Sequence, residues 1–341
     1  MRRRRPAWED LPDDRLLARR IAGLGLALRG TPVERALGRL QRELEERGLR
    51  LRPHCWIALE WFSPDGVPGF AVPFYLLHPR LQSMQRRFTG EAEGGNAREL
   101  MRILRHEAGH AIDNAFRLRR RAGWREAFGP ASRRYAGSYR PRPGSRRYVQ
   151  HLRGWYSQSH PAEDFAETFA VWLTPGSDWR RRYADWPPAL AKLRYVEALM
   201  RELRGRRPAV RTRQVFEPAR ASRLTLGQYY ARLARRQRGS GAPRVDAALR
   251  RVFTRCDAGR RRTRAARVLR EELPGLRRRV ARELGVSEYV VQEVVLRMIE
   301  RCRALDLVLR GTRREARPRL ARLVAAEVSR SMRQCGPRHV L

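Results

Sequence analysis

Apolar residues recur at helical spacing over most of the chain. Leu16, Leu17, Ile21, Leu24 and Leu28 follow Asp13, which can cap a helix carrying them. Thr31, Pro32 and Glu34 supply a second cap, a first-turn proline and a glutamate able to reach back to it. The helix they open packs through Val33, Leu37, Leu40 and Leu44 and stops at Gly48. Two strand-like runs come next, Trp56–Phe62 and Phe70–Leu77, with Ser63-Pro64-Asp65-Gly66 between them as turn chemistry. Pro73 has no N–H to give a ladder, so the second run is expected at a sheet edge. After a loop from Gly90 to Gly95, Asn96 caps a further helix, with Glu99 three residues on. Its apolar side is Leu100, Ile103, Leu104, Ala111 and Ile112. An arginine-rich irregular stretch, Arg133 to Arg153, separates it from a helix opened by Ser159-His160-Pro161 and closed by Thr174-Pro175-Gly176. Another helix spans about Pro188 to Leu203. Gly205 to Pro208 reads as a linker, the remainder reads as helical, and there is no internal repeat.

The 341 residues correspond to two or three domains, and 42% hydrophobic with 8% aromatic residues is too apolar for a disordered chain. No apolar run approaches the 18 residues of a membrane span. Ile21–Leu28 is too short for one and, behind Glu9, Asp10, Asp13 and Asp14, does not read as a leader either. Cys55, Cys256, Cys302 and Cys335 form no CxxC pair, which argues against a zinc ribbon or a disulfide scaffold and favours a reducing compartment. A cytoplasmic location is the default expectation.

Charge changes the picture less than its size promises. The chain has 75 basic and 35 acidic residues, net +40, yet Lys192 is its only lysine. A chain selected for a positive field alone has little reason to exclude lysine, so codon usage and a solvated surface account for much of this. Residues 205–341 still carry 36 Arg against 12 acidic residues, net +24. Such a field attracts polyanions nonspecifically and in a salt-dependent way. The Arg2–Arg5 run reads as a solvated tail.

Chemistry enters with His106-Glu107-Ala108-Gly109-His110, an HExxH motif inside the Asn96-capped helix. A spacing of four sets His106 and His110 one turn apart on one face, where both imidazoles can converge on one zinc ion. Glu107 stands where a carboxylate can take a proton from water activated there. A solvated or core histidine pair is the competing reading. A hydrolytic zinc site needs a third protein ligand and one open position. Downstream, Glu163 and Glu167 are also four apart, on a helix whose other positions include Phe165, Phe169, Trp172 and Leu173. Two carboxylates on the core side of an aromatic helix are costly to bury without a cation, and zinc with its histidines supplies one. Surface carboxylates paired with nearby arginines are the alternative.

The order of HExxH, a tyrosine and an Ala162-Glu163-Asp164-Phe165-Ala166-Glu167 helix resembles the gluzincin-type zincins related to the anthrax lethal factor catalytic domain and the Pro-Pro endopeptidases. It is similar above all to a bacterial group of zinc-binding metallopeptidases. The resemblance covers roughly residues 50–200; the cysteine-rich ribbon that opens some relatives is missing. It implies a peptide or protein substrate, Glu163 as third zinc ligand and Glu167 as a carboxylate behind the ligands. It also implies that Tyr156, seven residues before Glu163, donates to the carbonyl oxygen as charge grows there. Tyr148 is the fallback for that donor. Asp113 and Glu167 are the nearest acceptors for the second N–H of the ligand histidines. An extended peptide could add to the Phe70–Leu77 edge by main-chain pairing. His78, His151 and His160 are read as structural or surface residues.

A reading from a different class is nucleic-acid binding. Ala281, Gly285 and Val291, with Val280, Leu284, Val294 and Val295, loosely fit a helix-turn-helix around residues 275–300, with a recognition helix opening near Ser287. Glu288 and Glu293 would then face phosphates, and an ordinary helical bundle is the simpler alternative. The fold expected is α+β and mainly helical. It comprises an N-terminal helical extension (1–50), a zincin-like metallopeptidase domain with a small edge-strand sheet (51–204) and a basic all-α region (205–341).

Overall fold

The structure is a computed structural model and describes residues 6–135, 138–139, 141–238, 242–255, 263–286, 288–333 and 339–340. The Arg2–Arg5 run, Cys256, Ser287 and Cys335 lie outside them. The architecture is α+β and mainly helical, with small sheets. The chain divides into two compact units, one of Met1–Gln85, Ala92–Ala136 and Arg146–Arg232, the other of Arg86–Glu91, Gly137–Ser145 and Leu233–Leu341.

The first unit opens with α1 (Asp13–Leu17) and α2 (Pro32–Glu46). The helix expected from Asp13 to Leu28 stops early, and Ile21–Leu24 is a 3-10 turn. Tertiary pairing overrides the periodicity there: the Ile21 N–H donates to the Leu224 carbonyl and the Leu226 N–H to that of Arg19. α2 forms as its cap predicts, with Thr31 Oγ1 accepting from the Glu34 N–H at 3.2 Å.

Next come β1 (His54–Ala58) and β2 (Gly69–Pro73), which pair in parallel from His54 opposite Gly69 to Ala58 opposite Pro73. The turn expected at residues 63–66 forms, with the Val67 N–H donating to the Pro64 carbonyl, and Asn114 holds it: its Oδ1 accepts from Gly66 N–H, and its Nδ2 donates to the carbonyls of Pro64 and Val67. β2 is an edge strand of this two-stranded sheet, as expected from Pro73, but the run is shorter than expected, since Phe74–Leu77 is 3-10. The edge is also covered: every residue of β2 is buried, and Ala71 bridges Phe62 on the side away from β1, which leaves less room for an added peptide than expected. Gly69 is required by the close pairing, since a Cβ would fall 2.3 Å from the His54 carbonyl oxygen.

α3 (Pro79–Thr89) leads to α4 (Ala97–Phe116), the central helix, buried almost throughout from Leu100 to Ala115. Asn96 and Glu99 cap it reciprocally. α2 is tied to α4 by a buried ion pair in which Arg105 grips Glu43 with two bonds of 2.7 Å. Beyond α5 (Ala122–Phe128) lies α6 (Pro161–Leu173), of which no residue is exposed. α4 and α6 pack closely: a Cβ on Gly109 would sit 2.7 Å from the Ala166 Cα. α7 (Trp179–Arg182), α8 (Pro187–Glu202) and α9 (Leu226–Arg238) follow. On α8 the single lysine, Lys192, lies 2.5 Å from the buried Asp164 of α6.

The second unit contains α10 (Ala242–Arg250), α11 (Ala265–Leu284), α12 (Glu288–Ala304) and α13 (Arg313–Arg333). The expectation of an all-α region needs correction. β4 (Phe253–Arg255) pairs antiparallel with β5 (Leu307–Leu309), and β3 (Ser138–Tyr139) with β6 (His339–Val340). α12 is the middle of this core. Val290, Val291, Val294, Val295, Met298, Ile299 and Cys302 are buried, and Arg301 grips Asp246 of α10 with bonds of 2.7 and 2.6 Å. A recognition helix must offer a face to a groove. Here one side of the helix cast in that role is spent on packing.

Candidate metal centre

Two helices build the centre. α4 presents His106 and His110 one turn apart, and α6 presents Glu163 from its first turn; the close Gly109–Ala166 contact brings the two faces together. His106 Nε2 and His110 Nε2 are 3.1 Å apart, and Glu163 Oε2 lies 3.0 and 3.1 Å from them. All three side chains are buried and form a His-His-Glu group able to bind a metal. Tetrahedral zinc ligands at about 2.0–2.1 Å stand about 3.3 Å apart, so this triangle has to widen by only a few tenths of an ångström to accept the ion.

The surrounding charges are arranged for that. Burial lowers the affinity of His106 for a proton, but its bonds to Glu163 and Glu167 outweigh it and hold the imidazole well above its ordinary pKa. Burial pushes Glu163 up, whereas the charge of His110 and the bonds to both histidines hold it well below the usual carboxylate range. Glu167 faces His106 Nδ1 at 2.9 Å and accepts from the Leu152 N–H at 2.8 Å. With Nδ1–H donated to Glu167, the lone pair of His106 lies on Nε2, pointing at the triangle.

Glu107 is buried beside the triangle and accepts from Ser63 Oγ at 2.8 Å. Burial raises its pKa, offset in part by His106, His110 and the Ser63 bond. Tyr156 is half-buried, its ring 5.6 Å from that of His106. The turn that delivers it is unusual: Gly154 and Trp155 both have positive φ, 73° and 56°. Asp113 is buried, but its carboxylate is engaged by Arg119, through the backbone N–H at 2.9 Å and Nε at 2.8 Å. Tyr148 lies elsewhere, under the Lys192 ammonium at 4.4 Å.

A family model described as "Putative zinc-binding metallo-peptidase" matches residues 82–176. That span holds the whole triangle, Glu107, Tyr156 and Glu167. No curated protein matches the chain, and no solved structure does. The match supports the general class of zinc-binding metallopeptidase, and zinc is the metal it implies.

Three contributors escape the sequence reading. Ser63 belongs to the turn that Asn114, a residue of α4, holds against that helix, and nothing in the local pattern marks either. Tyr135, in the stretch read as irregular, donates its hydroxyl to Glu163 Oε1 at 2.9 Å. His160 and His151 are structural, as expected. His160 caps α6 through Nδ1, which accepts from Ala162 N–H, while Nε2 donates to the Arg133 carbonyl. His151 donates from Nε2 to the Arg102 carbonyl at 2.9 Å.

Proposed function

We propose that this chain is a zinc-dependent peptidase of zincin type, hydrolysing peptide bonds in a peptide or protein substrate. The observation that carries the reading is the buried triangle of two imidazole nitrogens and one carboxylate oxygen, with a second buried carboxylate, Glu107, at its side. His106, His110 and Glu163 would hold the zinc. Bound zinc supplies acidity to a water and polarisation to a carbonyl.

The chain's own residues do the rest. Glu107 takes the proton from the attacking water and passes it to the leaving amine; its raised pKa suits a group that must both accept and donate. Ser63 donates to Glu107 Oε2 and so orients the carboxylate. Tyr156 donates to the carbonyl oxygen as negative charge grows there. Glu167 sets the ring orientation and tautomer of His106.

Glu107→Gln separates catalysis from metal binding. With a peptide library as substrate, the variant is expected to retain about one zinc per chain and lose on the order of 10²–10⁴-fold in turnover. A chelator should abolish wild-type cleavage, and added zinc should restore it. Cleavage undiminished by Glu107→Gln or by the chelator would overturn the reading.

A further inference from the structure

We propose that Tyr135 is a positioning residue of the metal centre, holding the outer oxygen of Glu163 so that the carboxylate offers only Oε2 to the ion. The inference rests on the zinc reading above.

Glu163 uses its two oxygens differently. Oε2 lies within 3.1 Å of both imidazole nitrogens, whereas Oε1 accepts the Tyr135 hydroxyl at 2.9 Å. A carboxylate with both oxygens free can turn and give both to one ion, adding a fifth donor beside the water a hydrolytic site holds. The Tyr135 bond blocks that rotation. It also draws electron density from the carboxylate, leaving the ion the stronger acid.

Tyr135 is itself held. Its ring stacks on His160 at 3.7 Å and 16°. His160 is bound at both nitrogens, to Ala162 N–H and to the carbonyl of Arg133. Residues 133–135 are thereby clipped to the first turn of α6, the turn that carries Glu163. Yet Tyr135 remains 49% exposed, so it adds little to the core. A ring kept in solvent with its hydroxyl turned inward onto a ligand oxygen is placed for the centre rather than for packing.

Tyr135→Phe keeps the stacked ring and deletes the hydroxyl. Wild type and variant are loaded with cobalt(II), whose visible absorption is stronger in four-coordinate than in five-coordinate surroundings. Zinc affinity is measured in parallel by competition with a chelator. The expected result is weaker cobalt absorption in Tyr135→Phe, a zinc affinity equal to or above that of wild type, and a lower kcat at unchanged KM. A variant with the wild-type cobalt spectrum overturns the proposal while leaving the zinc reading intact. Wild-type chain that takes up no stoichiometric metal overturns the zinc reading, and this inference with it.

Discussion

Glu167 illustrates how much of the centre depends on side chains one step behind the ligands. It satisfies two buried donors, His106 Nδ1 and the Leu152 N–H, and Glu167→Ala strands both. Zinc affinity is expected to fall about 10–100-fold in a chelator competition, with Glu107 and its proton transfer untouched. His151 makes a separate prediction. Burial pushes its pKa down to about 4, from 6.5 for an exposed histidine. Below pH 6.5 the unfolded chain binds a proton that the folded chain refuses until about pH 4. Stability present above pH 6.5 is therefore lost as pH falls through this window, by up to about 3 kcal/mol. Urea unfolding of the metal-free chain at pH 7 and pH 4.5 checks it: His151→Asn should lose less on acidification than wild type.

Helix-to-helix contact decides whether the ligands meet. Gly109 stands inside HExxH at the point where α4 touches the Ala166 backbone of α6, and Gly109→Ala puts a methyl group where none fits. Overpacking of this kind costs about 1–3 kcal/mol. Here it also pushes Glu163 away from the imidazoles, so a lower melting temperature and weaker zinc binding should appear together in thermal scans with and without metal. The parts of the fold legible in the sequence are those set by near neighbours. Thr31 with Glu34, Asn96 with Glu99, and His160 before Pro161 each fix a helix start within a few residues. The four-residue spacings of His106 with His110 and of Glu163 with Glu167 needed only helical geometry. What stayed hidden depends on distant partners. Asn114 holds residues 64–67 against α4, and β1 and β2 pair in parallel. The Arg19–Ile21 segment leaves its helical pattern to pair with 224–226. Tyr135 reaches Glu163 across 28 residues with no spacing rule to announce it.

Taken together, the 341 residues carry a net charge of +40, and among the described residues no helix is long and apolar enough to cross a membrane. With one side of α12 packed in the second unit, attraction to nucleic acid is expected to be of the bulk kind. Binding to DNA duplexes of unrelated sequence is expected to be equal at fixed salt and to fall together as salt rises; a preference among duplexes in a titration at constant ionic strength would contradict this. The lone lysine has a practical bearing of its own. With every other basic side chain an arginine, this sequence holds one ε-amine, and it is engaged by Asp164 directly behind the helix that supplies Glu163. Among side chains an amine-directed label therefore has a single target, which peptide mapping tells apart from the α-amine: slow acylation of Lys192 marks molecules in which α6 and α8 are seated, and faster acylation marks those in which they have come apart.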